Sequence, residues 1–152
     1  MSVAVIRQVM TDAVTALAPN DHAGDLFRAH DSSVPFIDFC ERNPQLRRFY
    51  IRGDGSFEIE TSTADKEWGW TNIQYACCYP LDFHAGDEMG NDRDDLIESD
   101  MRQVQYTIAT NYATLETAVA GCVTESNATR EDGEACTYGV LTMRVGYWRA
   151  VS

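Results

Sequence analysis

The chain has 152 residues, of which 44% are hydrophobic and 24% are charged. This length and composition are typical of one globular domain and exclude a mostly disordered chain, a collagen and a coiled-coil rod. The sequence contains no run of about eighteen apolar residues, the length needed to span a bilayer. Its first residues, Met1 to Arg7, have no basic n-region and no long h-region, so we do not interpret them as a signal peptide.

Acidic residues outnumber basic ones by 24 to 12, which gives a formal net charge of -12. A chain of this charge is expected to be repelled by nucleic acid phosphates and by anionic membranes. Six acids and one arginine lie between Asp82 and Asp95. We interpret this segment as a solvated loop that leads into a helix, with a binding patch as the alternative. It does not match the calcium-binding loop of an EF-hand, although an adventitious cation stays open.

The five cysteines are an odd number, which favours a reducing compartment. Cys77 and Cys78 are adjacent on a predicted strand and therefore point to opposite faces, which is poor geometry for zinc. Cys122 and Cys136 are expected to flank the last hairpin and to be able to face each other. We expect buried, unreactive cysteines, with zinc or a redox disulfide as the alternative.

No motif in the sequence assigns a catalytic residue. The three histidines have no serine or cysteine partner in a known local motif. The sequence contains neither a phosphate-binding GxxxxGK[ST] loop nor a dinucleotide-binding GxGxxG turn. None of these patterns points to an enzyme, and we expect no cofactor and no metal ligands.

The first half of the chain is predicted to contain a helix, an irregular excursion with one short helix, and three strands. Apolar residues three and four positions apart indicate the helices, and alternation with a period of two indicates the strands. The second strand alternates with one wet face, and the third should end its pairing at Pro80. In chain order these segments are Val3 to Leu17, Asn20 to Gln45 (helix near Phe36 to Arg42), Leu46 to Arg52, Phe57 to Glu60 and Trp68 to Leu81.

The second half is predicted to contain the strongest helix, from Asp94 to Leu115, followed by two strands. Asp92 is a candidate N-cap for this helix, and Glu98 and Arg102 have the spacing of a favourable ion pair. The strands are placed at Ala118 to Glu125 and Cys136 to Arg149, joined by a polar connection, Ser126 to Glu134. This order predicts a single α+β domain, an antiparallel sheet with two main helices packed on one face.

Several residues are candidates for a surface that binds another protein. Trp68 and Trp70 share the face of their strand opposite to Ile73, and exposed aromatic residues favour a protein partner. The alternative is that the Asn20 to Gln45 excursion folds over them. Two arginines at the start of a strand are usually edge or surface residues. The candidate interface residues are Trp68, Trp70, Asp87, Glu88, Arg47, Arg48, Glu131 and Asp132.

Three segments in this order resemble the tail terminator (tail-completion, head–tail joining) proteins of long-tailed bacteriophages. They are a strand that ends Tyr75-x-x-x-Tyr79-Pro80, a long helix that begins Asp95-Leu96-Ile97-x-x-Asp100, and a hairpin that closes with Tyr138-Gly139-x-Leu141-Thr142-x-x-Val145-x-Tyr147. The resemblance covers most of the chain outside the excursion, and no single motif in it is diagnostic.

The resemblance implies a structural protein of the virion, located at the neck of the tail and assembled in the host cytoplasm. Members of this family form a homo-oligomeric ring, a hexamer, on the last ring of the tail tube. The ring stops tube growth and docks the head-completion or stopper protein, and DNA passes through its lumen without specific binding. We expect an acidic loop, Asp82 to Asp95 or Ser126 to Glu134, to face the lumen or the tube.

Three other functions are compatible with the sequence. Another head–tail connector, such as a stopper, would differ only in its position in the particle. An acidic DNA mimic would need carboxylates spread like phosphates over one surface, whereas much of the acid excess lies in one segment. A small enzyme would need a concave pocket with convergent polar groups.

Overall fold

The structure is a computed structural model of the chain. It describes residues 2–20, 26–82, 91–119 and 122–151, without the side chains of residues 91–92, 109–119 and 122–126. These residues form three helices and six strands: α1 Val3–Thr15, β1 Arg28–Ala29, α2 Phe36–Arg42, β2 Arg48–Gly53, β3 Glu58–Ser62, β4 Lys66–Pro80, α3 Asn91–Val119, β5 Cys122–Asp132 and β6 Cys136–Ala150.

All six strands belong to one sheet with the order β1-β2-β4-β6-β5, and β3 pairs with the start of β4. Every pairing is antiparallel except that of the two-residue β1 with β2. The central pair consists of β4 and β6, which stay in register from Lys66–Ala150 to Pro80–Cys136. The chain is therefore an α+β domain with a mostly antiparallel sheet, and β4 ends at Pro80 as predicted.

The larger hydrophobic core contains residues from α1, α3 and the odd-numbered positions of β4 and β6. Ser2 caps α1 by accepting a hydrogen bond from the Val5 N–H, and the buried stripe of this helix is Ile6, Met10 and Val14. Four apolar residues at the helical spacing predicted for α3, Ile97, Met101, Val104 and Ile108, are buried in the same cluster. Ile73 and Tyr75 of β4 belong to it as well. The alternation read from the sequence therefore selects the right face of the central strands.

A smaller core cluster lies on the even-numbered positions of the same strands. Phe36 and Cys40 of α2 pack there against Cys78, Tyr138 and Val140. The short helix predicted inside the excursion is confirmed with the same boundaries. Part of the excursion thus packs onto the sheet face opposite to the larger core.

The boundaries of α3 and β5 correct three predictions. The helix begins at Asn91 and ends at Val119, so Asp92 lies in its first turn rather than at its N-cap, and Ala118 is helical. Strand β5 runs on to Asp132, through most of the segment predicted as a polar connection. This segment reads as a loop because residues 127–132 are exposed and so lack the alternating apolar residues that mark a strand. None of the described helices is both long and apolar enough to cross a bilayer.

The prediction for β3 is also partly wrong. The alternation around Phe57 and Ile59 suggests a strand with one buried face, but all five residues of β3 are exposed. Even the apolar Ile59 has 51% of its surface accessible to solvent. Only Phe57, just before the strand, packs against the larger core. A single-sequence pattern identifies an apolar residue, whereas its burial depends on what lies opposite.

Candidate interaction surface

Three tryptophans gather on the even-numbered face of the central strand pair. Trp68 and Trp70 come from β4, and Trp148 is the register partner of Trp68 in β6. The ring centroid of Trp68 lies 5.6 Å from that of Trp70 and 5.7 Å from that of Trp148. All three are half-buried. We call Trp68, Trp70 and Trp148 the tryptophan cluster.

One carboxylate joins two members of the cluster. The indole N–H groups of Trp68 and Trp70 both donate to Oε2 of Glu60, over 3.1 and 2.8 Å. Glu60 lies in β3 at a register shift between Ile59 and Thr61, which is a β-bulge. Because a bulge re-aims the side chain of its extra residue, it explains how Glu60 reaches both indoles.

Cationic side chains cover two of the ring faces. The guanidinium of Arg144 lies 4.7 Å from the ring centroid of Trp70, and Nζ of Lys66 lies 4.7 Å from that of Trp148. Both contacts are in the range of cation–π attraction. The cluster therefore presents aromatic rings, one carboxylate and two cations on the same sheet face.

A glycine in β6 makes room for the tryptophan cluster. A Cβ atom on Gly146 would lie 2.7 Å from both the Trp68 and the Trp70 rings. This is closer than carbon atoms pack in proteins, so the rings lie across the strand only because the side chain is missing. Glycine at this position thus follows from close approach rather than from backbone conformation.

The described part of the excursion does not cover the tryptophans. Helix α2 packs on the same face, but at the opposite end of the strands, around Cys78 and Tyr138. Trp70 and Cys78 are eight positions apart on β4, which corresponds to about 26 Å along a strand. Of the two alternatives from the sequence, coverage by the excursion does not hold for the described residues, and a partner surface stays a prediction.

A cavity of about 450 Å³ opens between α2 and the sheet. The segment before α2 forms one wall, and strands β2, β4, β5 and β6 form the floor. His30, Phe36 and Tyr50 line it with aromatic surface, and their centroids are 5.6 to 6.1 Å apart. Arg52 and Glu131 add opposite charges at its edge. The even-numbered face thus combines a mixed polar and aromatic pocket with the tryptophan cluster.

The prediction that Arg47 and Arg48 lie at an edge or on the surface is wrong. Arg47 has no exposed surface, and its guanidinium makes two hydrogen bonds of 2.8 Å to the Asp100 carboxylate. Tyr79 donates a third hydrogen bond, also of 2.8 Å, to the same carboxylate. Burial opposes a charge on Arg47, but the hydrogen bonds and charge of Asp100 outweigh it, so the pKa of Arg47 is raised.

Arg48 is only 5% exposed, and its guanidinium lies 4.1 Å from the Phe39 ring centroid. It pairs with the exposed Asp31 at 3.3 Å. Neither arginine is therefore available to a partner as a free surface charge. A sequence pattern of aromatic and basic residues does not reveal that the basic residues point inward.

The remaining candidates lie far from the tryptophan cluster. Glu131 and Asp132 are exposed near the end of β5, where they pair in register with Tyr138 and Thr137. Arg130 next to them forms a salt bridge of 3.1 Å with Asp94. The acidic start of α3 and the acidic end of β5 are thereby brought together at one end of the domain. Asp87 and Glu88 lie outside the described residues.

Sequence reasoning did not identify the roles of Asp100, Glu60 and Trp148. Asp100 carried a usable signal, because it occupies the apolar stripe of α3 between Ile97 and Val104 at helical spacing. A carboxylate in such a stripe has to find a partner in the core. Glu60 carried no comparable signal, since its contact with the indoles depends on the bulge.

The cysteines are arranged differently from the prediction. Cys77 belongs to the larger core cluster and Cys78 to the smaller one, so they point to opposite faces as expected. Cys122 pairs in register with Gly146, at the end of the hairpin remote from Cys136, so these two cannot face each other. Cys136 instead contacts Cys78. In the described part of the chain, no three His, Cys, Asp or Glu side chains are placed to hold a metal ion.

No protein-family model matches the chain, and no curated protein matches it. The function is therefore argued from the residues, the fold and the resemblance of the three segments.

Proposed function

We propose that this chain is a tail terminator of a long-tailed bacteriophage, a structural protein of the virion neck. Six copies close into a ring on the last ring of the tail tube and stop its polymerisation. The opposite side of this ring receives the head-completion or stopper protein, and DNA crosses the lumen. In this function the protein acts by shape and catalyses no reaction.

One contact carries this proposal. Tyr79 and Asp100 belong to different segments of the resemblance, and they meet in the core with Arg47. The strand that ends at Pro80 and the long helix are thus joined by a buried polar network rather than by apolar packing alone. The strand, the long helix and the closing hairpin also follow one another in the order that the resemblance implies.

We assign the tryptophan cluster to the contact between neighbouring copies in this ring. Residues of α1 and α3 share the larger core, which supports a layer of these two helices on one sheet face. The opposite face keeps the tryptophan cluster open, with half-buried rings and both signs of charge. A ring needs two different patches that meet between neighbours, and tryptophan and arginine are enriched where such contacts are strongest.

We place the acidic end of the domain toward the lumen. The salt bridge between Arg130 and Asp94 gathers Asp95, Glu131 and Asp132 into one exposed region. Carboxylates on a channel wall repel DNA and offer it no counterion release, so DNA passes without adhering. A ring structure with this region on the outer rim would contradict the placement.

Deletion of the gene from its phage genome tests the function. Loss of a terminator should leave unattached tails of irregular length in electron micrographs, because tube growth is no longer stopped. Tails of normal length that lack heads would instead indicate a stopper. Attached tails of normal length would refute any role in the neck.

A separate assay tests the DNA-mimic alternative. Inhibition of DNA-binding enzymes by the purified protein, with a steep salt dependence, would favour the DNA mimic.

A substitution in the tryptophan cluster tests the proposed contact. Trp70→Ala should leave a cooperatively folded protein that no longer restores attached tails in the deleted phage. An interface residue of this type costs about 2 kcal/mol or more, which is at least about 30-fold in affinity. Tyr106→Ala is the matched control, because Tyr106 is an aromatic residue of α3 with 73% exposure. Equal complementation by both variants would exclude the tryptophan cluster from the interface.

A further inference from the structure

Three buried cysteines meet beneath α2. Cys78 of β4 and Cys136 of β6 have their Sγ atoms 3.0 Å apart. Cys40 of α2 is in the same cluster, and its backbone oxygen lies 3.4 Å from Sγ of Cys136. All three have no exposed surface, and their thiols are free.

The sheet holds Cys78 and Cys136 in a fixed relation. In the β4–β6 register, Pro80 pairs with Cys136 and Cys78 pairs with Tyr138, so the two cysteines are diagonal neighbours on one face. Side chains at diagonal positions can reach each other. Since a disulfide has sulfur atoms about 2.05 Å apart, the bond requires the sulfurs to approach by about 1 Å.

We propose that Cys78 and Cys136 are a site of disulfide formation under peroxide. One thiolate attacks a peroxide oxygen, which cleaves the O–O bond, gives a sulfenic acid and releases the first water after protonation. The second sulfur then attacks the sulfenic sulfur and displaces its oxygen as the second water. The two cysteines lose two electrons and two protons, and hydrogen peroxide is reduced to two waters.

Burial makes this reaction slow but does not block it. The contact with Cys136 lowers the pKa of Cys78, but the contact with Cys40 and burial raise it more, to about 12. Little thiolate is therefore present at neutral pH, and the rate should increase with pH. Local opening of α2, which has seven residues and no side-chain N-cap bond, would give peroxide access to these thiols.

The consequence for the particle rests on the proposed function. A protein assembled in a reducing cytoplasm keeps both thiols, and the bond forms once released particles meet an oxidising medium. It then links positions 58 residues apart, which encloses α3 and β5. Such a link restricts the unfolded chain and so stabilises the finished neck after assembly.

The experiment uses purified full-length protein with Cys122→Ser, because that cysteine lies outside the cluster. The protein is treated with hydrogen peroxide at pH 7 and pH 9, and the reaction is followed by intact-protein mass and by peptide mapping without reduction. We expect a loss of about two daltons, faster at pH 9, and a cross-linked peptide that contains Cys78 and Cys136. This result does not depend on ring formation, so it can fail while the terminator assignment holds.

Two variants give the controls. Cys77→Ala removes the adjacent thiol on the opposite face, and Cys40→Ala removes the third member of the cluster, so both should still form the bond. Cys78→Ala should not lose the two daltons. A cross-link mapped to Cys40, or folded protein that keeps four thiols or gives only sulfinic acids at pH 9, would overturn the proposal. The two controls keep the test decisive if Cys78→Ala fails to fold.

Discussion

Arg47 and Asp100, 53 positions apart in the sequence, form a two-bonded ion pair that is shielded from water. Arg47 precedes β2 and has a positive φ of 61°, a conformation that costs a residue with a side chain roughly 1 kcal/mol. Asp100 lies on the buried stripe of α3. A buried charge needs a partner, and a strained backbone conformation is kept only where the surrounding contacts stabilise it, so the ion pair helps to hold Arg47 in this conformation.

Removal of one charge from this pair should destabilise the fold strongly. Asp100→Ala removes the carboxylate that pairs with the buried Arg47 guanidinium, and we expect the free energy of unfolding to fall by about 3–5 kcal/mol. Urea denaturation followed by far-UV circular dichroism measures it. Asp95→Ala, an exposed carboxylate on the same helix, should change it by less than about 0.5 kcal/mol.

The double variant Arg47→Met, Asp100→Leu separates charge from packing. Because both charges leave the core together, we expect it to be more stable than Asp100→Ala. A double variant as unstable as the sum of the single variants would show that the pair is not coupled.

Gly146 should not tolerate a larger residue. Gly146→Ala places a methyl group against Trp68 and Trp70, and we expect a loss of about 1–2 kcal/mol of unfolding free energy as the rings are displaced. The near-UV circular dichroism of the tryptophans should weaken at the same time. In a Trp70→Ala background, the same substitution should cost less, because one of the two obstructing rings is gone. Equal costs in both backgrounds would contradict the close approach.

The pKa of Asp54 should be unusually low for an exposed carboxyl group. Hydrogen bonds from the side chain and the backbone N–H of Ser56, with a further one from Asn72, lower its pKa from 3.8 to about 2. Since the folded pKa is depressed, its small contribution to stability is present above pH 3.8 and is lost as the pH falls through about 2. Carbon-13 NMR of the carboxyl gives the midpoint. Ser56→Ala should move the midpoint up toward 3.8, and an unchanged midpoint would exclude Ser56 as the cause.

The buried thiols of the reduced protein should be inaccessible to a bulky thiol reagent until the protein unfolds. Burial, the largest cause, raises the pKa of Cys77 from 9.0 to about 12. The contribution of this neutral thiol to stability is present below pH 9.0 and is lost as the pH rises toward about 12. In Cys122→Ser protein, Ellman's reagent at pH 8 should detect no thiol in the native state and all four remaining thiols in guanidinium. Rapid reaction of any native thiol would contradict the burial.

The elements with clear periodicity could be predicted from the sequence. Helix α1, the core stripe of α3 and the alternating faces of β4 and β6 follow from spacing, because a buried face requires apolar residues at the period of its backbone. Only the start of β5 could be predicted, since residues 127–132 of this strand are exposed and form a strand because β6 pairs with them. Its polar residues resemble a loop.

Residue spacing thus determined the α+β class, the central strands and the face on which the tryptophans lie. Tertiary structure alone decided that Arg47 is buried, that Glu60 joins Trp68 to Trp70, and that Cys136 meets Cys78 rather than Cys122. The physical reason is the distance along the chain, because residue spacing indicates only which face of its own helix or strand a residue occupies. Each of these decisions depends on a side chain brought from a distant part of the chain by strand register, by a bulge or by helix packing.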